Sequence, residues 1–261
     1  MKSSHHRWLA MLAVLLVVLV AVACAGTPAT APAADQAATD SEPGDLVTLR
    51  VGWPGSPDTL SPGTGILAEA YTIYGLVYDT LYTLQFDGTF SLDAAESVET
   101  SADGKTWTFK IRQGIQFHDG QPLTAKDVAF SINLYMAHED FPYLNFYTIY
   151  FESVEAPDDN TVVLTLTEAI PSLESQLLAL YILPAHIWSQ YAEGNAAAEF
   201  ENLEMIGSGP FKLKEYAQSA FVHLVANKEH AIEPPQIDEL IFQTFGNEDA
   251  LVQALVTGQV D

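Results

Sequence analysis

A chain of 261 residues that is 48% hydrophobic and 11% aromatic holds ample apolar material for a packed core, which excludes a wholly disordered protein. Its formal net charge of -24 argues against nucleic acid as a partner, because one polyanion repels another, and otherwise specifies solubility rather than chemistry. Cys24 is the single cysteine, so an intrachain disulfide and a cysteine-rich zinc site are excluded as well.

The N-terminus carries Lys2, His5, His6 and Arg7, then the apolar run Trp8 to Ala23, which is the order of an export signal. Ala21-Val22-Ala23 directly before Cys24 is the small-residue context of bacterial lipoprotein signals. Residues 1-23 are therefore predicted to be a lipoprotein signal peptide and Cys24 the lipidated residue. An uncleaved anchor is the other reading, but the run falls short of the ~20 apolar residues that cross a bilayer comfortably, and no basic stop-transfer cluster follows. Residues 24-45 hold almost no large apolar side chain, cannot offset their ordering entropy by burial, and are predicted to form a disordered tether.

Leu46 to Val51 alternates as a strand and runs into the Pro- and Gly-rich stretch Gly52 to Asp58, which cannot continue it. Ala68 to Leu81 is predicted to be helical, with Tyr71, Tyr74, Val77, Tyr78 and Leu81 three or four apart as a core stripe. Asp103-Gly104 marks a turn, after which Trp107, Phe109 and Ile111 alternate with polar residues as a half-buried strand. His118-Asp119-Gly120 makes another turn. Thr124 is placed to cap a helix, with Asp127 at its positive end and Val128, Ile132 and Tyr135 as the buried stripe. Val162, Leu164 and Leu166 share one face of a strand, and Leu173, Leu177 and Leu180 mark a helix before Pro184. Phe211, Leu213 and Glu215 alternate after Gly207-Ser208-Gly209-Pro210. Ile237 to Phe245 reads as a strand, and Asn247 caps a helix carrying Ala250, Leu251, Ala254 and Leu255, ended by Gly258. Interleaved strands and helices make the class α/β, with α+β as the alternative.

Gly207-Ser208-Gly209 precedes a strand rather than a helix, so it is no phosphate loop, and it lacks the spacing of a nucleophile elbow. His118, His138, His186, His223 and His230 show neither the i, i+4 spacing nor the adjacent paired acids of a metal site, so structural or surface roles are expected for them. No catalytic residue, metal or cofactor is assigned, and hydrolysis is the minor alternative to a protein that is not an enzyme.

In chain order, Asp58-Thr59-Leu60-Ser61-Pro62, Ala95-Glu96-Ser97, Asp103 to Phe109, Gly114 to Ala125 with Asp127-Val128, Ile182 to Trp188, Gly207 to Leu213 and Gly258 to Asp261 resemble the family 5 extracellular solute-binding proteins. Those proteins carry dipeptides, oligopeptides, nickel complexes or related solutes to membrane importers. The resemblance implies a periplasmic-binding-protein-like fold of class II, in which two lobes close over a ligand and a subdomain is inserted into the first lobe. On that basis residues 46-78 and 169-261 would form the first lobe, 79-168 the inserted subdomain, and the second lobe would be missing. The chain stops at Val260-Asp261 directly after a helix and turn, and is expected to be the first part of a longer protein.

The function so implied is that of a substrate-binding lipoprotein of an ABC importer. It would capture peptides outside the cytoplasmic membrane, in the periplasm or at the cell surface, and deliver them to the permease. A nickel chelate, a sugar or an opine on the same fold, and a lipid-anchored sensor or scaffold that binds a partner protein, are the alternatives. Carried over by resemblance, Thr64, Gly65 and Ile66 stand where peptide binders offer backbone groups to an extended ligand. Tyr143 matches a cleft-facing tyrosine, and an ordinary interface aromatic is the equal reading for it.

Overall fold

The computed structural model describes residues 46–261. The predicted signal peptide, Cys24 and the predicted tether up to residue 45 lie outside the described residues. β1 (Thr48–Trp53) leads through a long loop into α1 (Ala68–Val77), after which β2 (Tyr82–Leu84) and β3 (Phe90–Leu92) form a hairpin. Next come β4 (Ala95–Thr100), β5 (Thr106–Ile111), α2 (Ala125–Ala137), the single turn α3 (Leu144–Tyr147), β6 (Phe151–Asp158) and β7 (Thr161–Leu166). Short helices α4 (Leu173–Leu177), α5 (Ala185–Trp188) and α6 (Ala196–Glu199) cross to β8 (Phe211–Ala217), β9 (Phe221–Ala226), β10 (Glu239–Thr244) and α7 (Glu248–Val256).

The strands make two four-stranded sheets, β1-β10-β9-β8 and β4-β5-β7-β6, beside the hairpin. All neighbours are antiparallel except β1 and β10, which run parallel with Thr48 opposite Glu239. In the second sheet Phe109, Ile111, Val162, Leu164 and Leu166 turn one buried face toward α2, whose Val128, Ile132 and Tyr135 are buried in return. Each such side chain contributes about 1.5–3 kcal/mol by leaving water. Ser131 joins this layer to the next segment, accepting from Leu183 N at 2.8 Å and donating to Asp127 O at 2.7 Å.

Two helices are shorter than the periodicity predicts. α1 ends at Val77, with Tyr78 extended, because Gly209 N takes the Val77 carbonyl at 2.9 Å and the next residues are needed elsewhere. Asn202 donates to the Tyr78 hydroxyl at 2.8 Å and His230 meets Asp79 at 3.0 Å. A Cβ on Gly207 or Gly209 would collide with the Val77 backbone, so this glycine pair serves close approach to a helix end. α4 stops at Leu177, while Leu180 is buried from an irregular stretch. In α7 the Asn247 side chain accepts from Ala250 N at 2.8 Å and Gly258 has a φ of 72°, as the capping residues predict, but of its six apolar residues only Ala254 is buried.

Candidate functional site

The loop between β1 and α1 is organised by one carboxylate. Asp58 accepts from Ile66 N at 2.9 Å and from Leu67 N at 3.3 Å, serving the first turn of α1, whose own N-cap residue Leu67 has no side-chain acceptor. Thr64 N and Gly65 N both donate to Ser61 O, at 3.2 and 3.1 Å. The amides of Thr64, Gly65 and Ile66 are therefore engaged inside the loop. What the backbone of these three residues can present is carbonyl oxygen, which takes no hydrogen bond among the described residues. Gly65 is required by proximity: a Cβ there would lie 2.5 Å from the Tyr74 hydroxyl. That hydroxyl in turn stands 2.9 Å from Thr59 O and 3.0 Å from Ser61 O, with one proton to share between them.

Tyr143 is positioned by the end of α2. Asn145 Nδ2 donates to Tyr135 O at 2.9 Å and lies 3.3 Å from Met136 O, satisfying carbonyls that a helix terminus leaves without partners. α3 is thereby fixed to α2, and Tyr143, immediately before it, is 47% exposed. Phe141 is fully buried, stacks on His138 at 4.9 Å, and packs against Gly63, which joins this segment to the loop.

Between the two stands Tyr71. Its ring meets Tyr143 edge-on, 6.1 Å apart at 88°, and lies 5.5 Å from Tyr74 and 6.3 Å from Tyr181. Its hydroxyl is buried without a hydrogen-bond partner. Burial, and then the neighbouring Tyr147, Tyr143 and Asp58, hold that hydroxyl protonated well above the ordinary tyrosine range. An unpaired buried polar group costs about 1–3 kcal/mol. Ile66 and Phe146 add exposed apolar surface at 55% and 64%.

The structure thus brings Thr64 to Ile66 and Tyr143 to one region, and it adds Tyr71, Tyr147 and Asp58. Helical periodicity assigns Tyr71 to the core stripe, yet it is half-buried where Tyr74, Val77, Tyr78 and Leu81 are buried. Its place at the stripe's loop end was the signal available. Asp58 eight residues before Ile66 carried no local pattern that marks a cap.

His118 serves the fold. Its Nδ1 accepts from Gly207 N at 3.2 Å and its Nε2 faces Gly209 O at 3.0 Å, which assigns the proton to Nε2. Burial pushes its pKa down to about 4. Among the described residues no group of three or more His, Cys, Asp or Glu is arranged to hold a metal, and no helix is long and apolar enough to cross a membrane.

Residues 89–261 match the family described as bacterial extracellular solute-binding proteins, family 5 Middle. The oligopeptide-binding protein AppA of Bacillus subtilis is 29% identical over 258 residues, covering 97% of this chain and 47% of the relative. The di/tripeptide-binding protein 1 of Pseudomonas aeruginosa is 30% identical over 227 residues, covering 77% of this chain and 41% of the relative. The solved structure of AppA from B. subtilis in complex with a nonapeptide superposes with a TM-score of 0.74 at 26% identity, over 82% of this chain and 43% of that one. The chain spans about a third to a half of the length of the curated relatives it matches.

Proposed function

Because the chain belongs to the bacterial extracellular solute-binding proteins of family 5, we propose that it captures short peptides outside the cytoplasmic membrane as the substrate-binding component of an ABC importer, and hands them to the permease. The observation that carries this reading is the Tyr71 hydroxyl, buried and unpaired in the neighbourhood of Asp58, the carboxylate that holds the Thr64–Ile66 loop. An extended peptide has N–H groups for the carbonyls of that loop, a polar atom for the hydroxyl, and side chains for the flank of Tyr143 and Phe146.

In this reading residues 46-78 and 169-261 are the first lobe and 79-168 the inserted subdomain. The division is supported by the sheets, since β1 joins β8 to β10 while β4 to β7 pair among themselves. The opposite wall of the site belongs to the part of the relatives that this chain does not span, because small-ligand sites bury about 70–90% of the ligand. An acyl group on Cys24 would hold the protein at the membrane.

Calorimetric titration of the full gene product with a pool of di- to pentapeptides tests the proposal. Binding is expected, and Tyr71→Phe should weaken it about tenfold while leaving the unfolding midpoint equal or higher, because the substitution deletes an unpaired buried hydroxyl. Absence of peptide binding by the full gene product overturns the assignment. Equal affinity of parent and Tyr71→Phe overturns the role of this wall.

A further inference from the structure

A second hollow, of about 870 Å³, lies between the β2–β3 hairpin and the β9–β10 connection, and none of Thr64, Gly65, Ile66 or Tyr143 lines it. Its size falls among small-molecule sites. Tyr82, Tyr181, Phe211 and Ile232 give it apolar walls, and Asp79 and Asp93 give it two carboxylates.

The charges there do not balance. Asp79 is 3% exposed; its Oδ1 lies 3.0 Å from His230 Nε2, while its Oδ2 is buried with no partner. Asp93 Oδ2 accepts from Thr80 N at 3.2 Å, and burial first, then the charge of Asp79, push its carboxyl up to about 6. The Arg112 Nε donates at 2.7 Å to the Asp93 backbone carbonyl rather than to its carboxylate. His118, also near Asp79, is held neutral at pH 7 by burial. Glu233 meets His230 only through its backbone, with its carbonyl 2.9 Å and its amide 3.1 Å from Nδ1. Even with both ring nitrogens protonated, the single imidazole of His230 faces two carboxylates, one of them buried, with an acceptor oxygen left over.

We propose that this hollow is a binding site for a small organic ammonium ion, with its N–H donors on the carboxylates of Asp79 and Asp93 and its apolar body against Tyr82 and Phe211. This goes beyond peptide capture at the Tyr71 wall and uses different residues. A bare metal ion is the poorer occupant, since the two carboxylates and His230 are not arranged as a metal-binding group among the described residues.

The whole chain at pH 7.5 is titrated with n-butylammonium chloride by calorimetry and thermal shift, with butan-1-ol and sodium chloride as controls. Butylammonium should bind saturably and raise the unfolding midpoint, and butan-1-ol should not. Asp93→Asn, which keeps an acceptor for Thr80 N, should weaken butylammonium binding about tenfold. Tyr71→Phe should leave it unchanged, so this site and the peptide wall fail independently. Absence of saturable binding, equal binding of butan-1-ol, or equal affinity of Asp93→Asn and parent, which would indicate diffuse attraction to an acidic surface, each overturns the proposal.

Discussion

His118 and Asp93 carry opposite pH dependences within one protein. Because His118 Nδ1 accepts from Gly207 N, a second ring proton would break that bond inside a dehydrated pocket. Its folded pKa of about 4 lies below the ordinary 6.5. Its contribution to stability is therefore complete above pH 6.5 and is lost as pH falls through about 4. Asp93 runs the other way, with a folded value of about 6 above the ordinary 3.8, so its contribution is complete below pH 3.8 and is lost as pH rises through about 6. The two effects, each about 3 kcal/mol, offset one another over a shared interval. Urea unfolding between pH 4 and 7.5 should show Asp93→Asn gaining stability relative to the parent as pH rises, and His118→Gln losing it. Flat difference curves would mean that both groups titrate as they do in the unfolded chain.

Capping explains where α2 starts, and it does more than the sequence motif states. Thr124 Oγ1 accepts from Lys126 N at 3.3 Å and Asp127 Oδ2 accepts from Thr124 N at 2.9 Å, the reciprocal box that the Thr-x-x-Asp spacing predicts. Asp127 Oδ1 also accepts from Ala185 N at 3.1 Å, tying α2 to the start of α5 from 58 residues away. Thr124→Ala should cost about 1 kcal/mol, and Asp127→Ala about 2–4 kcal/mol because it strands donors at both helices. Equal losses on urea unfolding would show that the Ala185 bond contributes nothing. What was legible at this scale were elements with a local signal: the capped helices α2 and α7, the Gly-bounded strand β5, and the alternation of β7. The hairpin turn at Asp87-Gly88 carries the same Asp-Gly signal as Asp103-Gly104, and β6 and β9 carry weaker alternation. The ends of α1 and α4 were illegible because they are set by partners distant in sequence, Gly209 above all. The same reason separates the site residues: Tyr143 and the 64–66 loop came through resemblance, whereas Tyr71 depends on which side of a core stripe the loop approaches.

Across the whole molecule, a formal charge of -24 makes an anionic membrane surface repulsive, so the proposed attachment would rest on an acyl group at Cys24 and not on charge. An exported, signal-cleaved Cys24→Ser protein should therefore appear in the soluble fraction at low and high salt alike, and its retention with membranes would overturn the anchor. The sheet that holds β1 has a further consequence, for the time course of synthesis. Thr48 pairs with Glu239, 191 residues later, whereas β4 to β7 find all their partners between residues 95 and 166. At 5–20 residues per second, roughly 10–40 s separate the emergence of β1 from that of its parallel neighbour. For that interval the first strand has no sheet to join, and its end of the nascent chain stays unpaired while β4 to β7 can already close their own sheet.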